Sequence, residues 1–373
     1  MRLSNNQQAF LALVRAGLWE NDVQLSLIKD INYKEIYRLA EEQSVMGLVA
    51  AGLEHVIDIE VPKEVTFQFV GKAIQLEQRN LAMNQIVATL IDKLRNNDIY
   101  ALLLKGQGIA QCYERPLWRT CGDVDLFLSD NNYEKARSYL QPLASSVEVE
   151  YQFNKHIALT IESWTVELHG SLRGDVLHKI DKVLDTVQKD VFYCGNVRSW
   201  MNGQIRVFLP GIDNDIFFVF SHILDHFYHG GVGLRQVCDW CRLLWTYRGQ
   251  INNELLEERL RNAGIITEWK AFAALAVDYL GASDSFIPLY SKSKCWSNKA
   301  RRINSYIIKT GNFGHSRVIS CYNNHSYFIR KAISFCRHTS DGMVYFLIFP
   351  LDAIKIWAKQ IYRGVIDVFR ERQ

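Results

Sequence analysis

Two aspartates one residue apart, Asp123 and Asp125, sit in the otherwise apolar run GDVDLFL. Side chains alternate along a strand. On such a strand Asp123, Asp125 and Phe127 share one face, and Val124, Leu126 and Leu128 take the other, the expected core face. Two carboxylates about 6–7 Å apart repel one another unless a cation lies between them. Mg²⁺ (or Mn²⁺) suits that task, because such ions take oxygen ligands and bind one or two carboxylates together with substrate phosphates. A third carboxylate, Glu167, lies in WTVELHGSL, where Thr165, Glu167 and His169 share the exposed face of a second strand. If the two strands are neighbours, Asp123, Asp125 and Glu167 cluster. Three carboxylates on a sheet face can hold two divalent ions about 3.5–4 Å apart, an arrangement that clamps the attacking and leaving oxygens of phosphoryl or nucleotidyl transfer.

Phosphate would need its own grip. The apolar run IYALLL ends at Lys105-Gly106-Gln107-Gly108, ahead of a short helix expected at 107–113. Backbone N–H groups at a helix start point outward, and glycine lets a phosphate approach them closely. Lys105 adds a charge, and the following loop carries Arg115 and Arg119, either of which could meet a triphosphate.

Other polar clusters are weaker. His222, Asp225, His226 and His229 recur at helical spacing and define one polar stripe. Two histidines at i, i+4 match a zinc helix, but the glutamate of a metalloprotease helix is missing. His156 and His169 flank Glu167 in sequence, and His169 shares its face. Asp239 is suited to bind substrate or to pair with Arg235 at i, i+4. Cys238 and Cys241 form a C-x-x-C without a second pair nearby, and structural zinc wants four ligands.

The elements that must position these groups follow from periodicity. Residues 5–97 read as helices. Strands are expected at 99–104, 124–128, 147–153, 157–161 and 165–168. A helix is expected at 131–140 with Asp130 as its N-cap, and a hairpin at 192–208. From 213 onward the helical period returns. This gives an α/β (α+β) chain: an N-terminal helical region at 1–98, a small mixed-sheet core at 99–209, and a C-terminal helical region at 210–373. The C-terminal region contains a segment, 285–340, with ten Lys and Arg and no Asp or Glu, which leaves the rest of the chain net acidic. Aromatic residues interleave with those charges, a pattern suited to a nucleic-acid backbone, an anionic acceptor or, with the amphipathic stretch 354–369, a membrane surface.

With 373 residues, 48% of them hydrophobic, the chain can bury a large core. A net charge of +3 gives no overall electrostatic bias. The polar N-terminus lacks a signal-peptide apolar run. Eight scattered cysteines read as free thiols. The longest apolar run near the end is cut by Pro350 and Asp352, short of the roughly 20 residues of a spanning helix. A cytoplasmic protein without stable membrane insertion is expected.

The stretch 102–128 resembles the nucleotidyltransferase superfamily that includes polymerase β, and more narrowly the bacterial "uncharacterised nucleotidyltransferase" family. The resemblance rests on Leu104-Lys105-Gly106, on Arg119, on Gly122-Asp123-Val124-Asp125-Leu126, and on Val166-Glu167-Leu168-His169. FSHILDHFYHG, LRQVCDW and the GNFG at 311–314 are looser points of likeness. The chain departs from the wider superfamily in having Gly-Gln after the first strand, and fifteen residues between Gln107 and Asp123.

The resemblance implies transfer of an NMP from an NTP such as ATP to a hydroxyl or amine acceptor, a small molecule, protein or RNA, with release of pyrophosphate. Asp123, Asp125 and Glu167 would be the catalytic residues, holding two Mg²⁺ or Mn²⁺ ions, with Glu167 also helping to deprotonate the acceptor. Lys105, Gly106, Gln107, Arg119, Gly122 and His169 would bind the nucleotide. Two alternatives stand beside it: a nucleotide- or partner-binding protein on the same fold without turnover, suggested by the Gly-Gln loop, and an RNA- or tRNA-modifying transferase, suggested by the basic segment.

Overall fold

A computed structural model describes residues 3–150, 155–174, 176–229, 231–312 and 339–359. Four helices come first: α1 (Asn5–Trp19), α2 (Tyr33–Glu42), α3 (Met46–Glu54) and the long α4 (Lys63–Arg95). Then follow β1 (Ala101–Leu104), α5 (Gly106–Ala110), β2 (Asp123–Leu128), α6 (Asp130–Leu140), β3 (Ser146–Val147), β4 (His156–Ile161), β5 (Trp164–His169), α7 (His178–Tyr193), β6 (Val197–Asn202) and β7 (Ile205–Pro210). Helices α8 (Ile212–His229), α9 (Leu234–Tyr247), α10 (Asn253–Ala263), α11 (Ile266–Leu280) and α12 (Lys294–Thr310) complete the named elements. Residues 339–348 and 350–359 are also helical. The fold is mixed α/β, with one sheet among many helices, as expected.

The sheet has seven strands in the order β3-β4-β5-β2-β1-β7-β6. β2 is central, antiparallel to β1 and parallel to β5. Both faces are covered. On one, Leu103, Val124, Leu126, Val166 and Val207 pack with Val87 and Ile91 of α4 and Tyr133 and Ala136 of α6. On the other, Leu102, Leu104 and Phe127 join a second core with α7, α8 and the N-terminal helices. A central strand is therefore apolar at nearly every position, and a polar residue there stands out.

Several expectations change. Phe127 lies on the aspartate face, opposite the expected core face, yet it is fully buried, its ring 4.5 Å from that of Phe192. The cover is α7, a helix the sequence reading missed although Ile180, Val183, Leu184, Val187 and Val191 form its buried stripe. Phe192 consequently belongs to α7, and the hairpin begins at Val197 rather than 192. Ser129, not Asp130, is the N-cap of α6; Asp130 accepts a hydrogen bond from Lys155 Nζ at 2.8 Å. Its charge still complements the helix start. The helix expected at 107–113 spans only Gly106–Ala110. The strand expected at 147–153 is reduced to Ser146–Val147, and 151–154 lie outside the described residues. The 313–338 part of the basic segment, the end of GNFG and most of the 354–369 stretch also lie outside them. Among the described residues, no helix is long and apolar enough to cross a membrane.

Candidate active site

The parallel β2–β5 register sets Asp125 opposite Glu167 and Asp123 opposite Thr165. The three carboxylates converge, offering oxygens that all lie within 4.8 Å of one another. The cluster sits at the C-terminal side of β1, where Lys105 and Gly106 turn the chain into α5. Both residues have positive φ, +47° and +42°. For Lys105 this is an unfavourable conformation, and it brings Nζ to 3.1 Å from Asp125 Oδ1 and 3.3 Å from His222 Nε2.

Two cavities meet at this point. The first, ≈ 290 Å³, is lined by Lys105, Gly106, Asp123, Asp125 and Glu167 and roofed by His222 and His226 of α8 and Arg235 and Asp239 of α9. The second, ≈ 220 Å³, lies beyond Lys105, Glu167 and His222 and is lined by His156, His169, Arg173, Asp181 and Asp225, with an apolar side from Leu172, Val176 and Phe218.

Asp125 is 1% exposed, yet it is not an orphan: besides Lys105 it accepts a hydrogen bond from His169 Nε2 at 2.8 Å. His156 Nε2 lies 3.1 Å and His169 Nε2 3.4 Å from the same oxygen of Glu167, Oε2. These contacts order the electrostatics. The charge of Asp125, then burial, pushes the Asp123 carboxyl above its ordinary range. Burial would raise Glu167 too, but the hydrogen bonds from His156 and His169 outweigh it and hold that carboxyl well below the usual range. Burial opposes the charge on His169, and its bonds to Asp125 and Glu167 overcome that and raise it. Lys105 is likewise raised against burial by Asp125, Asp123 and Glu167. His222 has the opposite fate: burial, then the nearby charges of Lys105 and His226, lowers it far below the ordinary histidine range. His226 is lowered by burial to about 4. The site thus combines fixed negative charge on the sheet with neutral imidazoles on α8.

The other nucleotide-binding candidates divide. Lys105, Gly106 and Arg119 line the first cavity, and His169 lines the second. The Arg119 guanidinium is already engaged: Nε and Nη2 donate to the two oxygens of Asp239, both at 2.7 Å, and Nη1 donates to Thr120 O at 3.3 Å. Tyr113 OH also donates to Asp239, at 2.8 Å. Arg235, weighed from sequence only as the partner of Asp239, reaches it at a looser 3.5 Å and lines the first cavity beside the carboxylates. Gln107 is 2% exposed and turned inward; its Nε2 donates to Asn80 Oδ1 at 2.8 Å. Asn80 in turn donates to Leu117 O and Arg119 O, at 2.7 and 2.8 Å, and so fixes the loop that bears Arg119. The same loop abuts α3, where a Cβ on Gly47 would lie 1.9 Å from Trp118 O. Gly122 is exposed and lies outside both cavity walls. Arg115 pairs with Glu20 and Glu54. Cys238 and Cys241 are fully buried, with thiols raised by burial.

Sequence reasoning missed Asn80, Arg173 and Asp181. A buried asparagine in a long helix carries no pattern that marks it, and the other two lie on or beside the unanticipated α7.

Carboxylates from two parallel strands, beside a lysine-glycine turn and under a helical roof, form an acidic cluster on a mixed sheet that could hold a metal ion. The uncharacterised nucleotidyltransferase family matches residues 29–281, which take in every element of the site, and the chain belongs to that family. It is therefore read as a nucleotidyltransferase. Its structure is similar to that of an antigenic nucleotidyltransferase-like protein from Paracoccidioides brasiliensis, at 13% sequence identity and a TM-score of 0.32, covering 54% of this chain and 92% of that one. No curated protein matches the chain.

Proposed function

We propose that the chain transfers a nucleoside monophosphate from an NTP to a hydroxyl or amine acceptor. The acceptor oxygen or nitrogen bonds to the α-phosphorus, the bond to the β-phosphate oxygen breaks, pyrophosphate leaves, and the acceptor's proton passes to solvent. The observation that carries this reading is the convergence of Asp123, Asp125 and Glu167 beside Lys105 and Gly106. The donor set fits divalent cations: all ligands are oxygens, they are close together, and the like charge that raises Asp123 is the repulsion a cation relieves. Bound there, divalent ions would neutralise the triphosphate and acidify the acceptor.

The chain's own groups do the rest. Lys105 and Arg235 face the first cavity with positive charge and suit the triphosphate, while Arg119 holds Asp239 and fixes the roof. Glu167, held ionised by two histidines, is suited to be a ligand and not a proton acceptor. The second cavity opens on the far side of Glu167 and is the natural place for the acceptor. Positioning and charge neutralisation supply most of the rate in such a reaction. The chain, incubated with each α-labelled NTP and Mg²⁺ or Mn²⁺, should release pyrophosphate and label an acceptor from a cell extract, and Asp125→Asn should abolish both. Nucleotide binding without release, unchanged in Asp125→Asn, would establish instead the binding protein without turnover. The inward turn of Gln107 onto Asn80 is the feature that favours that second reading.

A further inference from the structure

His156, Glu167 and His169 form a cluster of their own within the site, and it differs in chemistry from the aspartate pair. β4 and β5 pair antiparallel, with His156 directly opposite His169, and the two rings stack obliquely with centroids 4.7 Å apart. Both present Nε2 to one carboxylate oxygen, Glu167 Oε2, at 3.1 and 3.4 Å. In a tetrahedral site with metal–ligand bonds of about 2.0–2.1 Å, neighbouring ligand atoms lie about 3.3 Å apart. The imidazole–carboxylate separations already match that spacing. His169 Nε2 also lies 2.8 Å from Asp125 Oδ1, a hydrogen bond it would exchange for the ion. The cluster is reachable, since all three side chains line the second cavity, which leaves room for water or a substrate atom as the fourth ligand.

We infer that His156, Glu167 and His169 make a second, nitrogen-bearing metal position that takes a transition-metal ion of the zinc class in preference to Mg²⁺. Glu167 is shared between this position and the all-oxygen position at Asp123 and Asp125. The physical reason is ligand type. Imidazole suits Zn²⁺ and its neighbours, whereas Mg²⁺ demands octahedral oxygen and gives up its water reluctantly. The site would then hold two unlike ions: a hard one facing the phosphates and a borderline one facing the acceptor cavity. This deepens the transferase reading and rests on it only for that second clause, because ion binding here can be measured without any nucleotide.

The test uses the full chain stripped with chelator. Histidine side chains are labelled with ¹⁵N and the ring nitrogens followed while Zn²⁺ is added, with no nucleotide present. The expected result is a large shift of the Nε2 signals of His156 and His169 at one equivalent, with no such shift on adding Mg²⁺. Zn²⁺ affinity, read by competition with a chromophoric chelator, should fall about 10–100-fold or more in His156→Ala. A histidine that merely orients Glu167 would lower affinity by a similar factor, so the ring signals decide between the two roles. Unshifted Nε2 signals at saturating Zn²⁺, or an affinity for Zn²⁺ no tighter than for Mg²⁺, would overturn the inference. Wild-type protein suffices for both readings if His156→Ala fails to fold. Histidine shifts without pyrophosphate release under any metal would leave this inference standing and remove the transferase reading.

Discussion

Lys105 Nζ and Asp125 Oδ1 stand 3.1 Å apart, a buried ion pair between the turn after β1 and the central strand β2. The ammonium occupies part of the space a divalent ion would take, so lysine and metal compete for Asp125. Removing the charge in Lys105→Met should raise divalent affinity in the absence of nucleotide and lower affinity for a triphosphate. A change of about tenfold in each, or ~1.4 kcal/mol, is expected. Calorimetric titration with Mn²⁺ and, separately, with nucleotide reads both, and movement of the two affinities in the same direction would contradict the competition.

The raised carboxyl of Asp123 predicts a trade between stability and metal binding. Because the folded chain holds this proton better than the unfolded chain, the associated stability is present below the ordinary carboxylate range and lost as pH rises through the raised value. Asp123→Asn removes that loss. In chelator at pH 7 the variant should show a higher urea midpoint than wild type, with the difference vanishing near about pH 4. It should also bind divalent ions more weakly.

The Arg119–Asp239 pair joins the loop before β2 to helix α9, with side chains only 2% and 5% exposed. Arg119→Ala leaves a buried carboxylate without its main partner and should cost about 3–5 kcal/mol. Replacing both residues, Arg119→Met with Asp239→Leu, should recover part of this loss, since no buried charge remains. Unfolding of Arg119→Met, of Asp239→Leu and of the double variant gives the coupling directly. A loss under about 1 kcal/mol for Arg119→Ala, the range of an exposed pair, would show that the contact is not structural and would return Arg119 to the triphosphate.

His226 should make the fold sensitive to acid. Its pKa is lowered by burial to about 4, against the charge of Asp225 and with help from Lys105, Arg235 and His229. The unfolded chain therefore takes up this proton first. The stability is complete above about pH 6.5 and is lost as pH falls toward 4, by up to about 3 kcal/mol. His222 is shifted in the same direction and adds to the effect. Denaturant midpoints between pH 7 and 4.5 should fall steeply in wild type and less steeply in His226→Gln.

The aspartate pair shows how far one-dimensional reading reaches. Alternation along β2 places Asp123 and Asp125 on one face, and alternation along β5 places Glu167 and His169 together; both follow from local geometry and hold in the structure. Phe127 shares the aspartate face, as alternation requires, and both it and Asp125 are buried. Alternation separates two faces but does not say whether each is wet or dry, and that was decided by α7 lying across the sheet.

Arg119 and Gln107 show the other limit. As residue types near a lysine-glycine turn they suit phosphate, and nothing local says otherwise. Asp239 and Asn80, which claim them, lie 120 residues downstream and 27 residues upstream.

The sequence by itself determined the strand carboxylates, the lysine-glycine turn and the mixed α/β class, because these depend on residue type and on periods of two and 3.6. Only the tertiary structure decided that β2 and β5 are neighbours, that Lys105 meets Asp125, and that His156 and His169 reach one oxygen of Glu167. Those relations depend on strand order and on which helices roof the sheet, and both are set by burial summed over the whole core, not by any single stretch of chain.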